Sequence, residues 1–255
     1  MENKSQKTPN IVAITQARMG SSRLPGKVLT QLLDRSLLDW HCTRMFECKL
    51  VDSYVVATTN LSGDKDIENF CLERAISCFR GDESDVFSRY LEVARQENAD
   101  IIVRVTGDCP LIDPELVDET IDYFLSCGPD MDYVSLDISA YARGFDVEVF
   151  SRGALEKLSQ LDLTRAEKEH VTLGLYGREG EFNCKNFAGF AGEERPENTY
   201  RLCVDEIADL NAVSALLNCF ESGHINLSWK QILDKLAKHP EIVALNSHVE
   251  QVKVL

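Results

Sequence analysis

The sequence predicts an α/β protein built on a mostly parallel sheet. Short apolar runs at 11–14, 53–59, 77–80 and 100–106 have the length and composition of buried strands, and helical patterns separate them. Strands that recur about every 25 residues with helices between them form βαβ units, whose strands run parallel. In such a sheet the ligand binds beyond the carboxyl ends of the strands, so the residues after each strand are the candidates for chemistry.

Composition narrows the class of protein. The chain has 255 residues, 44% of them hydrophobic, and a net charge of -15, which argues against binding to nucleic acid or to an anionic membrane surface. Nine cysteines without a C-x-x-C pair are typical of free thiols in a reducing cytoplasm. No run approaches the roughly 18 apolar residues of a membrane span. We therefore predict a cytoplasmic protein with no nucleic-acid or membrane partner.

The chain contains no internal repeat and no linker rich in Pro, Gly or Ser. Residues 1–9 are polar, lack the apolar core of a signal peptide and are predicted to be a disordered tail. We predict one domain over 10–255 with a modest insertion at about 135–190. Its second half is expected to add strands at 131–136, 144–150, 182–187 and 200–205, and helices at 153–160, 165–176, 207–220 and 229–238.

The connection after the first strand gathers glycine, serine and three cations, and a helix over 36–46 follows it. Glycine and loop N–H groups form a concavity for anions, and arginine and lysine supply charge that fits phosphate oxygens. Five residues separate Gly20 from Gly26 and Val28 follows Lys27, so this is not a Walker P-loop. The alternative, a basic surface loop, fits poorly in so acidic a chain. The predicted triphosphate-binding residues are Arg18, Gly20, Ser21, Ser22, Arg23 and Lys27.

The next two strands lead to candidates for recognition of the base. After strand 53–59, Asp64 or Asp66 is expected to cap a helix that runs to Ala75. After strand 77–80, a helix is expected over 84–98. Base recognition is the least specific prediction, because Arg80 has an alternative role in an ion pair with Asp82 or Asp85. By their positions at strand ends, the candidates are Arg80, Ser84, Arg104 and Thr106.

Two carboxylates follow apolar strands and suit a divalent cation. The fourth strand ends in Gly107-Asp108, and Pro110 forces a turn directly afterwards. Mg²⁺ takes few protein oxygens and several from substrate phosphates, so Asp108 suits it. Capping the next helix is the alternative role, for which Asp113 is better placed. Asp205 repeats the pattern after the run 200–204, and Glu206 is a possible competing ligand.

These motifs resemble those of the cytidylyltransferases that activate acidic sugars. The likeness rests on R-x-G-S-S-R-L-P-G-K at 18–27, T-G-D-C-P-L-I-D-P at 106–114 and V-D-E-I-A-D-L at 204–210. It points to CMP-3-deoxy-manno-octulosonate and CMP-sialate synthetases, and above all to the spore-coat polysaccharide cytidylyltransferase-like family. The resemblance implies a Rossmann-like fold of the nucleotide-diphospho-sugar transferase (GT-A-like) type. It also implies catalytic roles for Arg18, Lys27 and Asp108, with Mg²⁺ on Asp108 and Asp205.

The same resemblance extends to a sugar site and a reaction. It implies that CTP and an acidic 2-keto sugar give CMP-sugar and pyrophosphate, and that the protein is a homodimer. Alternatively, Asp146 and Glu148 form one polar face of a strand and His170 is a satisfied core histidine. The sugar-binding residues implied by the resemblance are Arg143, Glu148, Glu169 and His170.

Other functions remain open on the sequence alone. A glycosyltransferase shares the fold, but the 18–27 loop suits a free triphosphate end that such an enzyme does not meet. A nucleotidylyltransferase acting on a sugar 1-phosphate and a non-catalytic nucleotide-binding partner are the further alternatives. Pyrophosphate release from CTP separates a cytidylyltransferase from a glycosyltransferase, and CTP binding without turnover favours the non-catalytic partner.

Overall fold

In the part of the chain that the structure describes, seven strands form one mixed sheet with helices on both faces. The computed structural model describes residues 8–190, 200–220 and 226–250. Its strands are β1 (Ile11–Gln16), β2 (Gln31–Leu32), β3 (Arg35–Ser36), β4 (Ser53–Thr59), β5 (Ser77–Gly81), β6 (Ile101–Thr106), β7 (Tyr133–Leu136), β8 (Glu148–Ser151) and β9 (Cys184–Phe187). Its α-helices are α1 (Leu37–Met45), α2 (Lys65–Glu73), α3 (Val86–Gln96), α4 (Pro114–Ser126), α5 (Arg152–Leu158), α6 (Arg165–Glu169), α7 (Leu173–Tyr176), α8 (Ile207–Asn218), α9 (Trp229–Lys238) and α10 (Pro240–Val243).

The sheet order is β5-β4-β1-β6-β8-β7-β9. The first four strands in this order are parallel, as the spacing of the apolar runs predicts. β8 pairs antiparallel with both β6 and β7, and β9 runs parallel to β7. The prediction of a mostly parallel α/β sheet is therefore confirmed. The second half of the chain, whose sequence pattern is less regular, forms the side of the sheet that contains the antiparallel strand β8.

Strand β1 lies inside the sheet between β4 and β6, and this position explains why its sequence is a continuous apolar run. Ala13 contributes to the core on the side of α1 and α4, whereas Val12 and Ile14 contribute to the core on the side of α3. All three are fully buried. A parallel strand covered by helices on both faces has no solvent side, so apolar residues do not alternate with polar ones.

The second half departs from the predicted strands and helices. The strands expected at 131–136, 144–150 and 182–187 are shorter, because loops occupy the ends of these runs. No strand forms over 200–205; instead Leu202 N donates to the Arg143 carbonyl and Val204 N to the Asp108 carbonyl. This segment thus pairs with two loops, the turn after β6 and the loop before β8. The single helix expected over 165–176 is two helices, with Val171 at a φ of 31° between them.

Helix α4 begins at the residue that the sequence indicated. Asp113 Oδ1 accepts from the N–H groups of Glu115 and Leu116, as an N-cap should. Its second oxygen accepts from Trp229 N at 2.6 Å, so one buried carboxylate joins the starts of α4 and α9.

Of the predicted tail, residues 1–7 lie outside the described residues. Among the described helices, none has the length and apolarity needed to cross a membrane.

Candidate active site

The carboxyl ends of β1, β4, β5 and β6 meet at one edge of the sheet because these strands are parallel. Gly107 N donates to the Gln16 carbonyl at 3.0 Å, and Ala17 N to the Ala57 carbonyl at 3.1 Å. These bonds continue the sheet pairing beyond the strands into the loops. The connection at 17–27 and the turn at 107–110 are thereby placed side by side.

Lys27 bridges the two carboxylates predicted to bind a metal. Its Nζ lies 2.7 Å from Asp108 Oδ2 and 2.8 Å from Asp205 Oδ1. Burial acts to lower the pKa of Lys27, but the two carboxylates outweigh it and raise that pKa above its usual 10.5. Burial likewise acts to raise the pKa values of both carboxyls, and Lys27 reverses this, so both remain charged at neutral pH. The structure thus brings together three residues that stand 81 and 178 positions apart.

Asp205 is held by two further cations. Arg23 Nη2 lies 3.0 Å from Asp205 Oδ2, and Arg201 Nη2 donates to the same oxygen at 2.5 Å. The fully buried Asp209 accepts from the Asp205 backbone N–H at 2.9 Å and from Arg201 Nε at 2.9 Å. Glu206 instead faces Arg23, with 3.3 Å between Nη1 and Oε1. Sequence reasoning missed Arg201, although its even spacing from Asp205 in an extended segment places both on one side.

Asp64 anchors the first half of the basic loop and does not cap a helix. Its Oδ1 accepts from Met19 N at 2.6 Å, and its other oxygen accepts from the Thr59 hydroxyl. Asp64 stands at the N-cap of α2 but makes no capping bond there, so the predicted capping role is wrong. A short 3-10 turn at Ser62–Asp64 directs the carboxylate toward the loop.

The remaining loop residues are accessible. Arg18 is half-exposed, and its Nη1 lies 4.0 Å from Glu83 Oε1. A Cβ on Gly20 would meet only Glu83 Oε1, at 3.7 Å, so the free protein does not require glycine there on steric grounds. Ser21 Oγ accepts weakly from Leu24 N at 3.4 Å, and Ser22 is exposed. These groups are available to a ligand over the loop.

All four side chains predicted to recognise the base already have hydrogen-bond partners within the protein. Arg80 donates to the Thr59 carbonyl at 3.0 Å and the Leu61 carbonyl at 2.7 Å, and pairs with Glu68 at 3.0 Å. The alternative of a structural ion pair is therefore the observed one, with Glu68 in place of Asp82 or Asp85. The Ser84 hydroxyl donates to Asp82 Oδ1 at 2.7 Å. Arg104 donates to Glu148 and to Gln16 Oε1, and the Thr106 hydroxyl lies 3.3 Å from Cys109 Sγ.

Glu148, predicted to bind sugar, lies at the centre of a hydrogen-bond network. It accepts from the Tyr133 hydroxyl at 2.6 Å, the Thr172 hydroxyl at 2.7 Å and the Arg104 guanidinium. Burial acts to raise the pKa of Glu148, but Arg104 outweighs it and the pKa lies below its usual value. Glu148 therefore does not simply belong to a polar strand face, which was the alternative offered by the sequence.

The other sugar-side candidates are not among the hydrogen-bond partners of Glu148. Arg143 donates to Asp146 Oδ1, and Asp146 Oδ2 accepts from Gly144 N at 2.7 Å. Glu169 is exposed at the end of α6, and His170 is partly exposed, so His170 is not a core histidine. Sequence reasoning named neither Tyr133 nor Thr172, because their contact with Glu148 depends on the antiparallel edge of the sheet.

A buried histidine supports the Asp108 turn from behind. His41 Nδ1 lies 2.9 Å from the Cys109 carbonyl, so this nitrogen carries the donated proton and Nε2 accepts from the Thr15 hydroxyl at 2.8 Å. The Tyr54 hydroxyl donates to Thr15 in turn. Burial lowers the pKa of His41 to about 4, which keeps the imidazole neutral. The sequence signal was a lone histidine on an apolar helix, which alone does not identify this contact.

Comparison with known proteins adds a family to this geometry. Residues 12–232 match the family model described as cytidylyltransferase. The chain is 33% identical over 238 residues to the spore coat polysaccharide biosynthesis protein SpsF of Bacillus subtilis, covering 91% of this chain and 96% of that protein.

Solved structures of other proteins share the fold. A cytidylyltransferase from Leptospira borgpetersenii superposes with a TM-score of 0.86 at 31% identity, covering 96% of this chain and 99% of that one. The CMP:2-keto-3-deoxy-manno-octonic acid synthetase complexed with CTP superposes with a TM-score of 0.62 at 20% identity, covering 82% and 99%. The Rossmann-like nucleotidyltransferase fold expected from the sequence motifs is therefore confirmed.

Proposed function

Because the chain belongs to the cytidylyltransferase family, we propose that it transfers a cytidylyl group from CTP to an acidic sugar and releases pyrophosphate. The observation that carries this proposal is the bridge from Lys27 to Asp108 and Asp205 beside a basic, glycine-containing loop. A cation between two carboxylates, with further guanidinium groups nearby, suits a triphosphate and its metal ion. The cytidylyltransferase family, the cytidylyltransferase from Leptospira borgpetersenii and the CTP complex of a structural neighbour support the choice of nucleotide.

The donor set at this site fits Mg²⁺. Asp108 and Asp205 both offer carboxylate oxygens, the ligands that Mg²⁺ prefers. Across 8–190, 200–220 and 226–250, no group of three or more His, Cys, Asp or Glu side chains is arranged to hold a metal ion. Two protein carboxylates suit an ion that takes its other ligands from phosphates and water. We propose that these two residues hold Mg²⁺, which would offset the charge that develops on the α-phosphate.

The chain's own residues would position and stabilise the triphosphate. Lys27 lies nearest the two carboxylates, Arg23 is next to it and Arg18 lies at the other end of the loop. As the sugar hydroxyl oxygen bonds to the α-phosphorus, the bond to the β-phosphate oxygen breaks. The three cations would then stabilise the negative charge of the departing pyrophosphate.

Arg143 is the residue we propose to bind the carboxylate of the sugar. Its ion pair with Asp146 is about one quarter exposed on each side, at 29% and 27%, whereas the Arg104–Glu148 pair is less exposed, at 16% and 15%. A sugar carboxylate can therefore reach Arg143 more readily than Arg104. Glu148 would orient Arg104, Tyr133 and Thr172 around the sugar. The predicted contacts of Glu169 and His170 with sugar hydroxyls belong to the same proposal.

The test is release of pyrophosphate in the presence of Mg²⁺, each of the four NTPs, and a panel of octulosonic acids, nonulosonic acids and sugar 1-phosphates. Release with CTP and one keto acid, abolished by Asp108→Ala, is the expected result. Release only with another NTP and a sugar 1-phosphate would overturn the cytidylyl assignment. CTP binding without release would favour a glycosyltransferase or a non-catalytic partner.

Assembly and location are predictions that need their own measurements. A homodimer through the segment at about 135–190 predicts a particle of twice the 28.7 kDa chain mass in sedimentation. A cytoplasmic location predicts recovery in the cytosolic fraction of the source cells. Neither affects the chemistry proposed above.

A further inference from the structure

Arg89, in the first turns of α3, is a buried guanidinium without a partner. The residue is 3% exposed, and within the described part of the chain it makes no hydrogen bond or ion pair. Burying a charged group without hydrogen bonds is costly, so such a group calls for an explanation. Burial lowers the pKa of Arg89, and the positive charge of Arg18 acts in the same direction. A ligand that accepts hydrogen bonds would relieve this cost.

The fold provides specific room for this side chain. A Cβ on Gly81 would lie 2.6 Å from Arg89 Cγ and 3.0 Å from Phe79 Cε1. Glycine at the end of β5 therefore lets the Arg89 stem pass under the strand end, and even alanine would displace it. Asp64 and Asp82 attract the guanidinium only through the longer-range electrostatic field.

The two halves of the basic loop indicate which end of a nucleotide lies near Arg89. Residues 23–27 contact the carboxylates at Asp108 and Asp205, so the triphosphate belongs there. Arg18 and Gly20 instead face Glu83, beside Gly81. A nucleotide lying along the loop would therefore have its base toward residues 80–89. Arg80 and Ser84, predicted to read the base, are engaged with other protein groups.

We infer that Arg89 is a base-recognition residue, whose guanidinium donates to O2 and N3 of cytosine. Both atoms are hydrogen-bond acceptors and match the paired donors of the guanidinium fork. Uracil has O2 but carries a hydrogen on N3, which opposes the second donor. Arg89 thus favours CTP over UTP. This inference rests on the proposed function, because it takes CTP as the nucleotide.

The test is calorimetric binding of CTP, UTP and inorganic pyrophosphate, each with Mg²⁺, to the wild type, Arg89→Met and Arg89→Lys. Methionine keeps the apolar stem under Gly81 and removes the donors. Arg95→Met is the matched control, because Arg95 lies on the same helix but is exposed and pairs with Glu92 and Glu156. We expect Arg89→Met to bind CTP about tenfold or more weakly, the discrimination typical of a bidentate contact to a base, with UTP and pyrophosphate little changed. Arg89→Lys should recover part of the loss.

Thermal unfolding of the free variants separates binding from folding. Arg89→Met should unfold at the same temperature as the wild type or higher, because an unpaired buried charge is removed. Equal weakening of CTP, UTP and pyrophosphate would make Arg89 a phosphate contact and overturn the inference. A lower unfolding temperature with unchanged selectivity would make it structural. A wild type that does not bind CTP overturns the proposed function, whereas a wild type that prefers CTP beside an equally selective Arg89→Met overturns only the role of Arg89.

Discussion

Replacing Lys27 with methionine should increase the affinity of the nucleotide-free protein for a divalent cation. The ammonium lies between Asp108 and Asp205 at hydrogen-bond distance from both, in the position where a metal bound by the two carboxylates would lie. A metal ion must therefore displace Lys27, unless triphosphate oxygens attract the ammonium away first. Methionine has a similar length and no charge, so it leaves the carboxylate pair open.

The structure sets the size of the effect. The Lys27 side chain is 10% exposed, and those of Asp108 and Asp205 are 26% and 14% exposed. Hydrogen bonds to charged groups contribute about 1.5–3 kcal/mol each, and partial exposure of the three side chains reduces the two bonds to about the contribution of one. We expect a gain of roughly 1.5–3 kcal/mol in metal binding, which is about 10- to 150-fold in Kd. Without metal, Lys27→Met should lose about 3 kcal/mol of folding stability, because Asp108 loses its counter-ion and Asp205 keeps only Arg23 and Arg201.

Mn²⁺ titration followed by electron paramagnetic resonance measures this affinity without turnover. Lys27→Met should bind Mn²⁺ more tightly than the wild type, and Mn²⁺ should restore its unfolding temperature. Lys238→Met is the control, because Lys238 is exposed in an ion pair with Asp234 on α9. The reasoning is refuted if the nucleotide-free wild type binds Mn²⁺ as tightly as Lys27→Met does.

Three further predictions concern the scaffold around the site. In the unfolded chain His41 takes up a proton below about pH 6.5, whereas in the native protein it stays neutral down to about pH 4. The free energy of unfolding should therefore fall by about 2 kcal/mol between pH 7 and pH 5. Urea unfolding at several pH values should show that His41→Gln loses this part of the pH dependence, and an unchanged pH dependence in His41→Gln would contradict the argument. Gly144 has a φ of 106°, and a Cβ there would lie 2.7 Å from backbone atoms, so Gly144→Ala should cost at least about 2 kcal/mol of folding stability. Gly153→Ala in α5 is the control and should be neutral or stabilising. Thermal unfolding of the two variants checks this prediction. Glu148→Ala should cost about 3–5 kcal/mol by leaving a buried guanidinium unpaired, and unchanged stability would mean that the residue serves the ligand alone.

The sequence could identify the centre of the site because each of its residues follows a buried apolar run. Lys27 closes the loop after the first strand, and Asp108 follows the fourth directly. Parallel pairing then brings strand ends together without further information. Asp205 was predicted on the same grounds although its segment is not a strand, because the residues 200–204 run beside the sheet edge and pair with loops.

What the sequence could not predict are contacts that depend on packing between distant elements. Asp64 reads as a helix cap, and only the turn before α2 shows that it holds Met19. Arg80 reads as a ligand, but its geometry at the end of β5 directs it to Glu68 and two carbonyls. Arg89 reads as one more charge on an amphipathic helix. Its burial becomes visible only when Gly81 is placed against it.

The hydrogen bond from Val204 N to the Asp108 carbonyl bears on the order in which the chain folds and completes the site. It joins the end of the fourth parallel strand to a segment synthesised much later, and Lys27 must likewise wait for Asp205, 178 residues downstream. A ribosome-bound chain can pair its first four parallel strands while still lacking half of the carboxylate pair. Closure of so long a loop is entropically expensive and follows the local contacts. The metal-dependent nucleotide binding proposed above would therefore begin only after the segment 200–205 has docked beside Asp108.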